Sequence, residues 1–331
     1  MTAPPRPRSG ELGAIQAPVR DQLDRLPEEM WRIVAAEPGL VSAVADHLMA
    51  MRGKMFRPTL VLLSSAVSGG SADDAMSMAA VTELIHLASL VHDDSVDHSA
   101  LRRGMPTVNS VFSHQVSVIM GDYLYARALA ELVRVGDMDL MRVVMRASTE
   151  MSLGELRQFA ALDTLAFSET DYYRLIRAKT ASLLGACCEL GGAVGAPEHR
   201  AALARYGDRL GMAFQIVDDL LDYTGSAETT GKPAGLDLRE HKVTLPLLGA
   251  LRTMTASERT RVEALFAAPD PSDDEIAAVI GLVVEHGGLE HARRQGERFA
   301  QEAEEALGLL PDTPARASLG DAIGYVLDRR W

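Results

Sequence analysis

Residues 83–97 read Glu83-Leu-Ile-His-Leu-Ala-Ser-Leu-Val-His-Asp-Asp-Ser-Val-Asp97, an apolar run that ends in three carboxylates. On a helix turning about 100° per residue, Asp93 and Asp97 fall roughly 40° apart on one face, with Asp94 beside them. Carboxylates this close repel one another and raise one another's proton affinity. A hard divalent cation removes that conflict, because Mg2+ takes one or two protein carboxylates and completes its shell with water and phosphate oxygens. Arg102, Arg103 and Gly104 follow directly, and the guanidinium fork suits phosphate oxygens. The stretch reads as an apolar wall capped by a metal-and-diphosphate site.

One Asp-Asp-x-x-Asp is a weak signal, since acidic helix ends are usually solvated first turns. This chain carries two. Phe214-Gln-Ile-Val-Asp-Asp-Leu-Leu-Asp222 repeats the apolar approach and the spacing, with Asp218, Asp219 and Asp222. Gly231-Lys232, Gly235 and Lys242 come after it. The pair predicts two helices facing each other across a cavity, with metals and a diphosphate between them.

With these motifs in view, the chain resembles the trans-type (all-E) polyprenyl diphosphate synthases, the chain-elongating members of the class I isoprenoid synthases. Further matching positions are Gly53-Lys54, Arg57-Pro58, His86, Arg102-Arg103-Gly104-x-Pro106-Thr107, Gly121-Asp122, Gly154-Glu155-x-x-Gln158, Lys179-Thr180, Gln215, Asp237-Leu238 and Lys242-x-Thr244-Leu245-Pro246. They run in the family's order over residues 50–250, and as a set they are specific. Two positions depart from the pattern: Arg52 stands for a common glycine before Gly53, and His241 for the glycine that usually precedes Lys242.

Composition fits an enzyme of this kind. The chain has 331 residues, 47% hydrophobic and 24% charged, enough for a large core and near the upper limit for one domain. A formal charge of −13 argues against nucleic acid as a partner. It does not argue against an anionic substrate, because bound metals reverse the local sign. The only cysteines, Cys187 and Cys188, are adjacent, and adjacent cysteines rarely pair, which points to a reducing compartment. No apolar run reaches the roughly 18 residues of a membrane span, and no signal-peptide core is visible. A soluble, cytoplasmic protein is expected.

Residues 1–10 are proline-rich and expected to be a disordered tail. From residue 11 to 331 the good helix formers dominate, with glycine and proline breakers at long intervals. There is no sustained period-two alternation and no hairpin dipeptide between β-branched runs. The prediction is a single-domain, all-α helical bundle with a central cavity. The longest breaker-poor stretch, residues 107–135, reads as a core helix carrying Val111, Val118, Ile119, Leu124, Leu129 and Leu132. Residues 253–331 read as an antiparallel helical cap without chemistry.

The resemblance implies a reaction: an allylic prenyl diphosphate ionises with Mg2+ assistance and is condensed with isopentenyl diphosphate. It also implies roles. Asp93 and Asp97 share two of three metal ions and Asp218 holds the third, with Asp94, Asp219 and Asp222 as supporting ligands. Arg102, Lys179 and Lys232 contact the allylic diphosphate, with Thr180, Gln215 and Lys242. Lys54, Arg57, His86 and Arg103 form a separate, metal-free site for isopentenyl diphosphate. No side chain stands out as a dedicated base, and the released diphosphate takes the proton. Leu84, Leu87, Leu90 and Val91 wall the carbocation off from water.

Short-chain relatives often carry an aromatic residue five positions before the first aspartate. Here that position is Ala88, beside Ser89. A tunnel with its floor deeper down, at Leu129 or Leu132, fits a long-chain product, hexaprenyl to decaprenyl, which would partition into membrane. The alternatives are a geranylgeranyl or farnesyl diphosphate synthase, a class I terpene cyclase, or a non-catalytic subunit of a heteromeric synthase. Similar enzymes are homodimers paired through the helix of residues 107–135.

Overall fold

The structure is a computed structural model, and it describes residues 11–35, 39–51, 53–160, 164–224 and 235–328. Residues 1–10, Arg52 and Lys232 lie outside these segments. Helices of seven or more residues are α1 Arg20–Val34, α2 Leu40–Ala50, α3 Phe56–Val67, α4 Ala72–Val96, α5 His114–Val135, α6 Met138–Ala160, α7 Glu169–Ile176, α8 Ser182–Val194, α9 Arg200–Thr224, α10 Leu245–Leu251, α11 Ala256–Ala267, α12 Asp273–Glu285, α13 Gly288–Leu307 and α14 Pro314–Leu327. The all-α expectation holds.

Helix α8 is the spine. Leu183 to Gly192 are all buried, and α3, α4, α6 and α9 pack around this helix. Small residues let those helices close on it. A Cβ added to Gly211 of α9 would meet the Ala181 Cα at 2.5 Å and its Cβ at 2.8 Å. The acid-tipped helices α4 and α9 thus lie against one rigid support. Helix α4 is long and apolar enough to cross a membrane on length and composition, against the expectation that no run is. Most of that apolar segment is nevertheless buried inside the protein. Cys187 and Cys188 are both free and buried within α8, and burial pushes the Cys187 thiol up to about 12.

Two details differ from the expectations. A short antiparallel hairpin joins β1 Leu101–Arg102 to β2 Met105–Pro106. Its turn residues Arg103 and Gly104 have φ of 53° and 76°, the two-residue turn whose twist matches paired strands. Arginine at the first turn position hid it in the sequence. The stretch 107–135 also divides, into a short helix Val108–Val111 and then α5, whose Ser113 cap accepts the Val116 N–H. Leu124 and Leu132 are buried as expected, but Val111, Val118 and Ile119 are exposed. They occupy the outward face of the helical pattern, not the core.

Replacing Gly211 with Ala should lower stability by roughly 1–3 kcal/mol through overpacking, outweighing the ~1 kcal/mol that alanine gains in helix propensity. A thermal melt that rises for Gly211→Ala would show that α9 and the Ala181 turn have room to part.

Candidate active site

The C-terminal end of α4 delivers the first acid triplet. Asp97 caps the helix, donating its N–H to the Asp93 carbonyl at 2.8 Å. The hairpin then folds back on it. Arg102 Nε reaches both Asp94 carboxylate oxygens at 2.8 Å, and its Nη2 lies 2.7 Å from Oδ1. Asp94 is buried. The pairing satisfies its carboxylate and turns Arg102 toward α4, so Asp94 and Arg102 orient the site in this state. Arg103 is drawn the other way, with Nη1 donating to the Met51 carbonyl at 3.0 Å.

Asp93 lines the hollow, and Asp97, at the helix end, is exposed. Burial, then Glu155, with Asp97 as a smaller contributor, push the Asp93 carboxyl up to about 6, against the opposing pull of Lys179 and Arg102. Lys179 sits on a five-residue π-helical turn, Arg177–Ala181, a feature that often marks functional sites. Its Nζ donates to Gln158 Oε1 and contacts Glu155 Oε1, each at 2.7 Å.

The second triplet is arranged differently. Asp219 is buried. It accepts the Tyr172 hydroxyl on Oδ2 at 2.5 Å and Gln215 Nε2 on Oδ1 at 2.9 Å. Gln215 Oε1 in turn accepts the Thr180 hydroxyl at 2.8 Å. Burial, and then the nearby Asp237, hold the Asp219 carboxyl well above the usual carboxylate range. Asp222 accepts the backbone N–H groups of Leu236 and Asp237 on its two oxygens, at 3.1 and 3.0 Å. It therefore caps the turn of helix Leu236–Arg239, although the sequence marked it as a metal ligand. Asp218 acts electrostatically on Arg57, Asp219 and Asp237. Asp237 had no role assigned from the sequence; burial and the charge of Asp222 push it up to about 7.

One residue of each triplet, Asp93 and Asp219, lines one of two neighbouring cavities. A cavity of 280 Å³ is lined by Arg57, His86, Ala88, Asp93 and Tyr125 among others, and a neighbouring one of 360 Å³ by Tyr172, Gln215, Asp219, Asp237 and Lys242. Lys179 and Thr180 line both. Across the gap, Lys242 feels the charge of Asp97 and Arg57 that of Asp218. Burial works against the charge on Lys242. Its Glu240 contact at 2.5 Å and the carboxylates of Asp237 and Asp97 prevail and raise its pKa. His241 adopts φ 56°, where histidine is tolerated better than most side chains, and its Nε2 donates to the Ala268 carbonyl at 2.9 Å.

A cationic corner adjoins the first triplet. Burial, then Arg57, Arg103 and Arg102, hold the His86 ring well below its ordinary pKa, so it is neutral. Arg57 Nε is buried without a protein partner, the state of a donor meant for a ligand. Lys54 Nζ lies 5.8 Å from the centre of the Tyr325 ring. Along the tunnel, Ala88 and Ser89 line the cavity as expected, with the Ser89 hydroxyl turned back to the His86 carbonyl at 2.8 Å. Of the expected wall, only Leu90 lines the cavity; Leu84, Leu87 and Val91 face the packed core. Helical spacing puts Ile85, Ala88, Ser89 and His92 on the open stripe instead. The cavity reaches Tyr125 rather than Leu129 or Leu132, and Leu132 is fully buried in the core.

Hard oxygen donors crowded on both sides of one cleft, with carboxyl groups raised by burial and then by neighbouring carboxylates, fit Mg2+. Among the described residues no three metal-ligating side chains already surround one point, so diphosphate oxygens or water would complete each shell. An all-helical hollow with this donor set defines an isoprenoid synthase. Residues 38–283 match the family model described as Polyprenyl synthetase. The chain is 38% identical over 327 residues to heptaprenyl diphosphate synthase component 2 of Geobacillus stearothermophilus, covering 97% of this chain and 100% of that one. Its structure is similar to that of a decaprenyl diphosphate synthase from Rhodobacter capsulatus, with TM-score 0.91, 35% identity, and 97% and 100% of the two chains covered. A polyprenyl synthase from Caulobacter crescentus CB15, complexed with calcium and isoprenyl diphosphate, is equally close in shape: TM-score 0.91, 31% identity, 98% and 100% covered. The chain belongs to the polyprenyl synthetase family.

If Asp222 is a cap, Asp222→Ala should weaken the 235–239 turn by about 1 kcal/mol, as loss of a helix cap does. Amide exchange at Leu236 and Asp237 in metal-free protein should then speed up. Unchanged exchange there would return Asp222 to a purely metal-binding role.

Proposed function

We propose that this chain is a magnesium-dependent prenyltransferase that condenses an allylic prenyl diphosphate with isopentenyl diphosphate and builds a long trans polyprenyl diphosphate. The observation that carries the reading is a cavity lined by Asp93 on one side and by Arg57 and His86 on another, with the second acid helix contributing Asp219 to the neighbouring cavity. A cyclase, which ionises a single substrate, has no use for the second anion site.

Asp93, Asp97 and Asp218 are the side chains we assign to Mg2+, with Asp222 available only if it leaves its cap. Bound there with the allylic diphosphate, Mg2+ neutralises the charge that builds on the leaving group. Lys179 adds a fixed positive charge from the π turn, with Lys232 and Lys242 assigned to the same diphosphate. The allylic carbon–oxygen bond breaks and its electron pair leaves with the diphosphate. The double bond of isopentenyl diphosphate, anchored by Lys54, Arg57 and Arg103 with neutral His86, supplies the pair for the new carbon–carbon bond. A proton is then lost to the released diphosphate. Leu90, Ile85 and Met151 exclude water from the cation.

The growing chain runs past Ala88 and Ser89 toward Tyr125. The exposed apolar side chains Val118, Ile119 and Val133 of α5, with Leu153 and Leu156 of α6, support a homodimer joined through these helices. The free, buried cysteines fit the proposed cytoplasmic location, from which the product would partition into membrane. The relative from Geobacillus is named as one component of its synthase, so a second subunit is the alternative to a self-sufficient enzyme.

Purified chain, Mg2+, an allylic starter and labelled isopentenyl diphosphate should yield an elongated diphosphate. A hydrocarbon or alcohol without elongation would indicate a cyclase, and turnover only on adding a partner would indicate a subunit. Product chromatography should show shorter chains for Ala88→Phe and longer ones for Tyr125→Ala. Lengths unchanged in both variants would reject the tunnel.

A further inference from the structure

We infer that the arginine-walled groove over α8, on the outer side of the π turn, is an outlying anion site that takes linked phosphates, free diphosphate first among them. The site stands on its own geometry; only the source of the diphosphate, release in catalysis, rests on the prenyl-transfer reading above.

The groove has a volume of 610 Å³, against 280 Å³ for the cavity lined by Asp93. Its floor is made of small residues, Ala178, Ala181, Gly185 and Ala186. Its walls carry long cations. Arg146 and Arg157 come from α6, Arg174 from α7, Arg177 from the π turn, and Arg205 and Arg209 from α9. Three carboxylates, Glu150, Glu189 and Asp208, line it as well. Six positive charges against three negative leave a net +3, in a chain whose formal charge is −13.

Two of the carboxylates are recessed. The side chains of Glu189 and Asp208 are 11% and 16% exposed, whereas those of Arg146, Arg174 and Arg177 are 61%, 70% and 64% exposed. Each recessed carboxylate is already held by two cations. Glu189 pairs with Arg146 and accepts Arg200 Nε and Nη2 at 3.0 and 2.9 Å. Asp208 accepts Arg177 Nε at 2.8 Å and lies 3.3 Å from Arg209 Nη1. A guanidinium has five N–H donors and no acceptor. Among the described residues Arg177 bonds through Nε alone, so its terminal fork remains for another acceptor.

Positive charge therefore faces the solvent, and negative charge faces the protein. A recess lined by one sign of charge concentrates ions of the other, and the planar guanidinium fork matches phosphate oxygens. Cations on three sides of one floor suit linked phosphates better than a single one. A sunken floor suits a small anion better than a flat lipid surface. The π turn is the wall between this groove and the catalytic hollow. Arg177, Ala178 and Ala181 line the groove, while Lys179 and Thr180 line the catalytic cavities. Diphosphate released on one side thus has a cationic recess on the other.

The test is an arginine footprint on the wild-type chain in EDTA. Phenylglyoxal modification is read by peptide mass spectrometry with inorganic diphosphate, ATP or phosphatidylglycerol vesicles, each against sodium chloride of equal ionic strength. At ten times its Kd, diphosphate should slow modification of Arg174, Arg177 and Arg205 about tenfold, the ratio set by occupancy. The double variant Arg174→Gln/Arg205→Gln should need about tenfold more diphosphate to protect Arg177, the weight of a hydrogen bond to a charged group. Its kcat and KM without added diphosphate should match the parent. Protection confined to Arg57, Arg102 and Arg103 would place the anion in the catalytic hollow and overturn the inference. So would equal protection by sodium chloride, which is screening, or protection by ATP alone or by vesicles alone. Failure of the prenyl-transfer reading shows separately, as a wild-type enzyme that makes no elongated product while the footprint persists.

Discussion

Helix α8 sets the geometry on which the chemistry depends. It is buried along most of its length, and both acid-tipped helices lie on it without closing on each other. Were α4 and α9 to pack face to face, six carboxylates would be forced into one core. Resting on a common spine, they leave a hollow between their tips. The glycine at position 211 and the small side chain of Ala181 bring α9 close enough for that hollow to be narrow.

Within the hollow, Asp94 and Asp219 are buried and held by protein donors, Arg102 in one case and Tyr172 with Gln215 in the other. Burial and neighbouring carboxylates push Asp93, Asp219 and Asp237 upward. A bound cation would relieve that cost, and the donors on Asp94 and Asp219 keep the walls in place while one binds. Lys179 belongs to both halves, since it touches Glu155 and Gln158 and lines both cavities. The π turn that carries it also carries Thr180, so one local distortion supplies a positive charge and an oriented hydroxyl side by side.

The helical class and the acid motifs were legible because they are local: spacing on a helix fixes which carboxylates share a face. The cationic corner around His86 was legible for the same reason, through its place on the acid helix. What the sequence hid is tertiary. Nothing near Asp94 in sequence says that its partner is Arg102 folded back by a hairpin, because the left-handed conformation of Arg103 is unusual for that side chain. Asp222 looks like its neighbours in the motif, yet it caps a turn thirteen residues on, at Gly235. Tyr172 and Tyr125 lie on other helices, and their meeting with Asp219 and Ala88 follows only from packing. The outward face of α5 was misread because apolar residues at an interface and in a core share one pattern.

The central claim is that Asp93 and Asp218 act on the same metal–diphosphate cluster. Anomalous diffraction from crystals soaked with Mn2+ and inorganic diphosphate addresses it directly. Manganese peaks bridging the diphosphate to Asp93 and Asp97 on one side and to Asp218 on the other are predicted. Peaks confined to one helix, or a diphosphate bound away from both, would contradict the account.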